Sequence, residues 1–178
     1  QLERLGIRCK FADTSISIDR ATILLKQSYS LNWTPEDVAA VCAAHDVVPV
    51  SPEPNSIVYL SRQGVKSELR TSRSYDSEQT ARIVKEMGGH VIETASTDFD
   101  GYTRCASKAD IVIADHGAAI LNIVQWRPRV VIEIFAENWW DPIFTQLGVT
   151  LGVEDHVTIR GDGPSEDALR EKLTYHVD

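Results

Sequence analysis

The chain has 178 residues, of which 43% are hydrophobic, so it is long enough to bury one full core. Its formal net charge of −8 excludes a general binder of nucleic acids or membrane surfaces, because such proteins collect phosphates with a positive field. Its three cysteines, Cys9, Cys42 and Cys105, are too scattered for a disulfide framework or a zinc site, which favours a reducing compartment. We expect residues 1–178 to form a single domain.

The chain contains no apolar run long enough for a transmembrane helix, and its first residues lack the charged and apolar regions of a signal peptide. We therefore expect the chain as it stands to be cytoplasmic, without a membrane segment. It begins without Met, at residues typical of the end of a helix (Leu2, Leu5 and Gly6). This start favours a piece of a larger protein that has additional domains.

Short apolar runs at residues 8–12 and 21–26 predict two strands. A helix is predicted from Pro35 to about Ala44, because Thr34 can cap it and acidic residues occupy its first turn. From residue 56 onwards, strands alternate with helices. The predicted strands are 56–61, 90–93, 110–114 and 130–134, and the predicted helices are 77–87, 101–108, 118–124, 141–147 and 164–173.

The strands in this series are apolar runs, and Gly88 with Gly89 forms a C-cap at the end of a helix. Apolar strands that alternate with helices are typical of a parallel sheet covered on both faces. We therefore predict an α/β fold, a Rossmann-like parallel sheet with helices on both faces.

The stretch from Ala109 to Val124 predicts a buried strand, a sharp turn at Asp115-His-Gly117 and a helix that begins near Ala118. Ligands of open α/β sheets bind where a strand ends and a helix begins. The first N–H groups of a helix have no partner within it and attract phosphate or carboxylate. Gly117 suits this position because it lets a ligand approach the backbone closely. The stretch therefore predicts an anion site.

Two polar residues of this stretch each have two interpretations. His116 can donate to a phosphate or act as a general base near neutral pH, or it can bind backbone carbonyls at the tight turn. Its place beside Gly117 favours the functional interpretation. Asn122, one turn into the helix, either reaches the same ligand or binds a neighbouring loop.

Four basic residues follow the strand that ends at Ser61, namely Arg62, Lys66, Arg70 and Arg73. In an acidic chain they indicate a local anion site, because Arg presents paired N–H donors to phosphate and Lys adds a point charge. A solvated basic loop explains Lys66 and Arg70 equally well. Arg62 lies next to a strand end, which favours a functional role.

Glu133 interrupts a strand that is otherwise apolar. An unpaired carboxylate is costly to bury, so Glu133 is expected to lie at the open end of the sheet, to meet a partner or to bind a ligand, and an internal Arg is the competing partner. At the open end, it can accept hydrogen bonds from both ribose hydroxyls of a nucleotide.

Two weaker motifs complete the candidate residues. Asp98-Phe-Asp100 has the spelling with which many sugar-nucleotide enzymes hold a divalent metal, but a helix cap at Thr97 or Asp98 explains it more simply. No metal site is therefore predicted. Trp139-Trp140 either stacks on a base or sugar or forms a hinge in the core.

Together, these motifs resemble glycosyltransferase family 61, over about residues 2–147. This family includes protein O-GlcNAc and xylosyltransferases of the secretory pathway and many bacterial or viral polysaccharide enzymes. The His-Gly-Ala-x-x-x-Asn block and the Ser-Arg strand end are its specific features. The matching segments are Ile57–Arg62, Arg73 with Glu78, Ala109–Asp115, His116–Asn122 and Val131–Ile134.

The resemblance implies an inverting glycosyltransferase of the GT-B type, with no required metal or other cofactor. Its C-terminal Rossmann-like half, which this chain matches, binds a nucleotide-sugar donor, most often a UDP-sugar, for transfer to a glycan or protein hydroxyl. A eukaryotic secretory parent would place it in the Golgi or ER lumen. The residues predicted to bind the donor are Arg62, Lys66, Arg70, Arg73, His116, Gly117, Ala118, Asn122 and Glu133, and of these Arg62 and His116 are predicted to be catalytic.

The chain departs from the family pattern in two ways. Residues 74–78 replace the usual Asn-Glu after the second Arg, and the half that helps to form the acceptor site is expected outside this chain. The alternative is a non-catalytic nucleotide-binding module or scaffold domain of a larger enzyme. A nicotinamide-dependent oxidoreductase is disfavoured, because no strand is followed by Gly-x-Gly-x-x-Gly.

Overall fold

The computed structural model describes residues 33–44, 50–62, 77–95, 99–135, 141–160 and 165–177. The strands are β1 (Glu53–Ser61), β2 (His90–Glu93), β3 (Ala109–Asp115), β4 (Val130–Phe135) and β5 (Asp155–Arg160). The helices are α1 (Pro35–Ala44), α2 (Glu78–Glu86), α3 (Phe99–Ala106), α4 (Ile123–Trp126), α5 (Ile143–Leu151) and α6 (Glu166–Val177), and a 3-10 helix (Ala118–Asn122) leads into α4. The strands predicted at 8–12 and 21–26 lie outside the described residues.

The five strands form one parallel sheet in the order β2-β1-β3-β4-β5, which confirms the predicted parallel α/β architecture. Every residue of β3 and β4 is buried, as expected for strands covered on both faces. The strand order reverses between β1 and β3, because the chain runs outward from β1 to β2 and then returns to the other side of β1. Sheets of this kind have a crevice at the carboxyl ends of the two strands that flank the reversal.

Helices cover both faces of the sheet, as predicted. Successive residues of a strand point to opposite faces, so each strand contributes to two cores. Val112 belongs to a core with residues of α1, α3, α4 and α5, whereas Ile113 belongs to a core with residues of α2 and α6. Among the helices in the described ranges, none combines the length and apolar character that crossing a membrane requires.

Local signals in the sequence determine where two helices begin or end. Thr34 Oγ1 accepts a hydrogen bond from the Asp37 amide at 3.1 Å, and the Asp37 carboxylate accepts one from the Thr34 amide at 3.0 Å. This reciprocal pair is the capping box of α1. At the end of α2, Gly88 has a φ of +80°, and the amides of Gly88 and Gly89 donate back to the last turn of the helix. The predicted C-cap is confirmed.

Several bounds differ by a few residues from the predictions, the most at the ends of α5 and α6, which extend further than predicted, and two elements differ in kind. The sequence of β5, Asp155–Arg160, lacks a continuous apolar run, because this strand lies at the edge of the described sheet and is only partly buried. The helix predicted at 118–124 begins as a 3-10 helix and becomes α-helical only in α4. The 3-10 geometry brings residues three apart onto one side, and both Ile120 and Ile123 are 0% exposed.

Candidate functional site

A pocket of about 440 Å³ opens at the carboxyl edge of the sheet, where the strand order reverses. Its walls come from the segments that follow β1, β2 and β3. The lining residues are Arg62, Thr94, Asp115, Gly117, Ala118, Ala119 and Asn122. The pocket therefore brings together four of the residues that the sequence assigns to donor binding, namely Arg62, Gly117, Ala118 and Asn122.

Asp115 joins the ends of β1 and β3 at this pocket. Its Oδ1 accepts a hydrogen bond from the Tyr59 hydroxyl at 2.7 Å, and its Oδ2 accepts one from the Arg62 amide at 2.9 Å. Asp115 is 6% exposed, and a buried carboxylate is costly unless its oxygens are bonded in this way. The two bonds also fix the backbone that carries the Arg62 side chain. The sequence signal for this role is a polar residue directly after an apolar strand.

The Arg62 guanidinium reaches from the end of β1 to the turn after β3. Its Nη1 donates to the His116 carbonyl oxygen at 3.3 Å, and the side chain passes next to Gly117. A guanidinium has five N–H donors, so this bond leaves donors for a ligand in the pocket that Arg62 lines. Arg62 and the turn thus form two walls of the same site.

The surroundings of Gly117 do not require a glycine. Its φ is 163°, an extended conformation that any residue adopts. A Cβ atom at this position would lie 3.6 Å from its nearest described neighbour, Arg62 Nη1, which is an ordinary van der Waals distance. The backbone here is thus open on the side where a Cβ atom would lie, as the predicted close approach of a ligand requires.

The first N–H groups of the 3-10 helix have no partner within the helix, and its first residues, Ala118 and Ala119, line the pocket. At its other end, Asn122 lines the pocket while its Nδ2 donates to the Ala119 carbonyl at 2.9 Å. Thr94, which the sequence does not indicate, lines the pocket after β2. Its hydroxyl donates to the Ser61 carbonyl at 3.0 Å, which ties the end of β2 to the end of β1.

The His116 side chain lies behind the pocket and is not among the described lining residues. His116 is 6% exposed, and its Nδ1 lies 2.6 Å from Glu133 Oε1. Its ring stacks on Phe135, with the ring centroids 4.5 Å apart. Its amide donates to the Ile134 carbonyl at 2.8 Å. The imidazole is therefore anchored in the core, while the carbonyl of the same residue contacts Arg62.

Glu133 is 0% exposed and lies between two histidines. Its second oxygen, Oε2, is 3.0 Å from Nε2 of His156 in β5. The buried carboxylate has thus met partners, as one of the predicted alternatives requires, but the described partners are two imidazoles and not an internal Arg. A buried carboxylate needs partners at both oxygens, and the register of β4 and β5 supplies one of them. His156 was not a candidate from sequence, because β5 itself is not predicted.

Several candidates lie outside the described residues, namely Lys66, Arg70, Arg73, Asp98, Trp139 and Trp140. The backbone of Asp100 lies in α3, but its side chain is also outside the description. Within the described parts of the chain, no three His, Cys, Asp or Glu side chains are grouped so that they could hold a metal ion.

Comparisons with known proteins do not assign the chain to a family. No family model matches the sequence, and no curated protein matches it significantly.

Proposed function

We propose that this chain is the nucleotide-sugar-binding half of an inverting glycosyltransferase of the GT-B type. The single observation that carries the proposal is the shared pocket of Arg62 and the Gly117-Ala118 backbone at the reversal of the strand order. A positive side chain and helix-initial N–H groups suit the diphosphate of a sugar donor. The likeness of the sequence motifs to glycosyltransferase family 61 supports this choice among anionic ligands.

In the proposed reaction, the oxygen of an acceptor hydroxyl forms a bond to the anomeric carbon while the bond to the diphosphate breaks. The leaving diphosphate gains negative charge, which Arg62 and the N–H groups of the turn stabilise. The acceptor proton passes to a general base. Asp115 is the only carboxylate among the described lining residues, and its two oxygens bind Tyr59 and the Arg62 amide. We therefore assign the base to an acceptor-side partner domain.

The donor is proposed to be a UDP-sugar, and the acceptor a hydroxyl of a glycan or protein, in line with the resemblance. Lys66, Arg70 and Arg73 remain proposed donor contacts from the loop after β1. His116 and Glu133, which are predicted to hold the donor directly, act in this proposal from behind the pocket, by supporting the turn. No metal or other cofactor is assigned to the site.

A thermal-stability panel of nucleoside diphosphates and nucleotide sugars, with and without divalent metal, tests this proposal. A ligand at a hundred times its dissociation constant should raise the unfolding free energy by roughly 2.7 kcal/mol, which shifts the midpoint visibly. Arg62→Ala should weaken UDP binding about 10- to 100-fold, because hydrogen bonds to a charged group contribute about 1.5–3 kcal/mol each.

The matched control is Arg104→Ala, which removes an exposed Arg of α3 away from the pocket. It should leave UDP affinity unchanged. If no nucleotide stabilises the chain, or if both variants bind UDP equally well, the proposed donor site is wrong. A strong metal requirement would instead point to Asp98 and Asp100.

The second candidate is a non-catalytic nucleotide-binding module of a larger enzyme. It is favoured by the same Asp115 geometry, since no described carboxylate of the pocket is placed to act as the acceptor base. Such a module would bind UDP with the Arg62 dependence described above. It would neither hydrolyse nor transfer sugar from any nucleotide sugar, even with the remaining domains of its parent present.

A further inference from the structure

Three buried ionisable side chains lie in contact with one another behind the pocket, and we call them the His-Glu-His cluster. They are His116, Glu133 and His156. The contacts are 2.6 Å from His116 Nδ1 to Glu133 Oε1 and 3.0 Å from Glu133 Oε2 to His156 Nε2. The side chains are 7%, 0% and 5% exposed, respectively. Burying three such groups is costly, and the proposed donor contacts require none of these side chains in the pocket.

The chemistry of the carboxylate fixes how both rings must be oriented. A carboxylate accepts hydrogen bonds but does not donate them, so His116 donates through Nδ1 and His156 through Nε2. The other ring nitrogen of His156, Nδ1, is buried and has no described hydrogen-bond partner. It lies against Gly148 of α5, where a Cβ atom would be only 2.6 Å away. The His156 ring is therefore held in place by packing as well as by Glu133.

The His-Glu-His cluster is connected to the pocket through the backbone of His116. The His116 carbonyl accepts the hydrogen bond from Arg62, and the next residue along the chain is Gly117. The anchored imidazole, the carbonyl that Arg62 contacts and the amide of Gly117 therefore belong to one short stretch of backbone. A ring held 2.6 Å from Glu133 and stacked on Phe135 has little freedom to rotate.

We propose that His156 is a positioning residue for the donor site. Acting through Glu133, it holds His116 so that Arg62 and the amides of Gly117 and Ala118 converge on one phosphate group. This inference rests on the proposed function, because it takes the pocket to bind a diphosphate. It adds an outer group to that site from β5, a strand that contributes no described lining residue.

Two amide variants separate this role from general packing. In His156→Gln, the side-chain nitrogen reaches the position of Nε2 and can still donate to Glu133. In His156→Asn, it reaches only the position of Nδ1. We expect UDP to bind the Gln variant about as tightly as the wild-type protein and the Asn variant roughly tenfold more weakly, by analogy with metal-binding histidines, whose loss of the outer hydrogen-bonding partner weakens binding about 10- to 100-fold.

The matched control is Val157→Ala, on the opposite face of the same strand. It should lower stability without a comparable loss of UDP affinity. If the Asn variant binds UDP like the wild-type protein, or if affinity only follows stability across all three variants, the positioning role is wrong.

A measurement without ligand distinguishes this failure from a failure of the proposed function. The NMR signals of the Gly117 and Ala118 amides should shift in His156→Asn and return towards the wild-type positions in His156→Gln. If they do not move in the Asn variant, the inference is overturned whether or not UDP binds. If they move as expected but the wild-type protein binds neither UDP nor pyrophosphate, only the proposed function fails.

Should His156→Asn not fold, the wild-type protein provides the test. Titration with UDP should then shift the imidazole N–H signal of His156, because coupling between two groups acts in both directions. An unchanged His156 signal at saturating UDP would overturn the positioning role.

Discussion

Gly117 and Gly89 are two glycines close to strands, and their surroundings differ in how much room they leave for a side chain. A Cβ atom at Gly89 would lie 2.7 Å from Val84 Cγ1 and 2.9 Å from Ile57 Cβ, which are distances that real Cβ atoms do not adopt. A Cβ atom at Gly117 meets only ordinary contacts. The glycine at 89 is therefore explained by packing, whereas the packing of the described residues does not require the one at 117.

We expect Gly89→Ala to lower stability and Gly117→Ala to weaken UDP binding without lowering stability. Gly89→Ala should lower the unfolding free energy by about 1–3 kcal/mol, because the added methyl group overpacks the contact between α2 and β1. Gly117→Ala should keep or slightly raise stability, because alanine restricts the unfolded chain, but it should weaken UDP binding. Urea denaturation and calorimetric titration of both variants test this. If the Gly117→Ala variant binds UDP normally, the ligand does not approach the backbone closely at this position.

The site illustrates what a sequence can and cannot predict about single residues. Arg62 and Gly117 meet in one pocket because both follow parallel strands, and the carboxyl ends of such strands share one edge of the sheet. The partners of Glu133 could not be predicted in this way. His156 contacts it because β5 pairs with β4 so that His156 lies beside Val131, and no local pattern encodes that register.

At the scale of elements, α2 and α6 are joined on one face of the sheet by a cluster of exposed ion pairs. Arg82 binds both Glu86 and Glu166, and Arg170 binds the same two carboxylates. Hydrogen bonds from Arg170, and then from Arg82, hold the pKa of Glu86 below its usual value of 4.5. The pKa of Glu166 is lowered in the same way, chiefly by Arg82.

This cluster should make the docking of α6 sensitive to acid. A carboxylate with a lowered pKa stabilises the folded state above its unfolded pKa, near 4.5, and that contribution is lost as the pH falls through the folded value. We therefore expect Glu86→Gln to reduce stability near neutral pH and to flatten the decline of stability below pH 4.5. Urea denaturation over this pH range measures both effects. Glu171→Gln, an exposed change on α6, is the control, and an equal slope in both variants would exclude the cluster as the cause.

Most elements follow from periodicity, and the exceptions have physical causes. β1, β3 and β4 contain apolar runs because the sheet buries them from both sides, and α1 has a cap that can be read from Thr34 and Asp37. The 3-10 start of the helix after Gly117 could not be predicted, because its residues also suit an α-helix. Ile120 and Ile123 are both buried in the core, which either type of helix allows.

At the scale of the whole molecule, the protection of backbone amides from hydrogen exchange should fall from the centre of the sheet to its edges. β3 pairs on both sides and is buried at every residue, whereas β5 pairs only with β4 among the described strands and is partly buried. Local opening of a protein begins where buried contacts are few.

We therefore expect the amides of β3 and β4 to exchange with deuterium only on global unfolding, and those of β2 and β5 to exchange earlier. Hydrogen exchange followed by NMR or mass spectrometry measures this order. UDP should slow hydrogen exchange at the turn after β3 more than in α6. The helix α6 packs on the face of the sheet opposite to α4. Equal protection of β3 and β5 would contradict this arrangement.

The pairing of β1 with β3 also determines when the pocket can exist during synthesis. Ile57 of β1 lies beside Ile111 of β3, although α2, β2 and α3 are made between them. Contacts between segments so distant along the chain form late, since their loops must close first. Because it lies earlier in the sequence, Arg62 also leaves the ribosome long before Asp115, the carboxylate that binds its backbone amide. A growing chain that stops before β3 lacks one wall of the pocket, and its apolar β1 can pair with β2 but not yet with β3 on its other side.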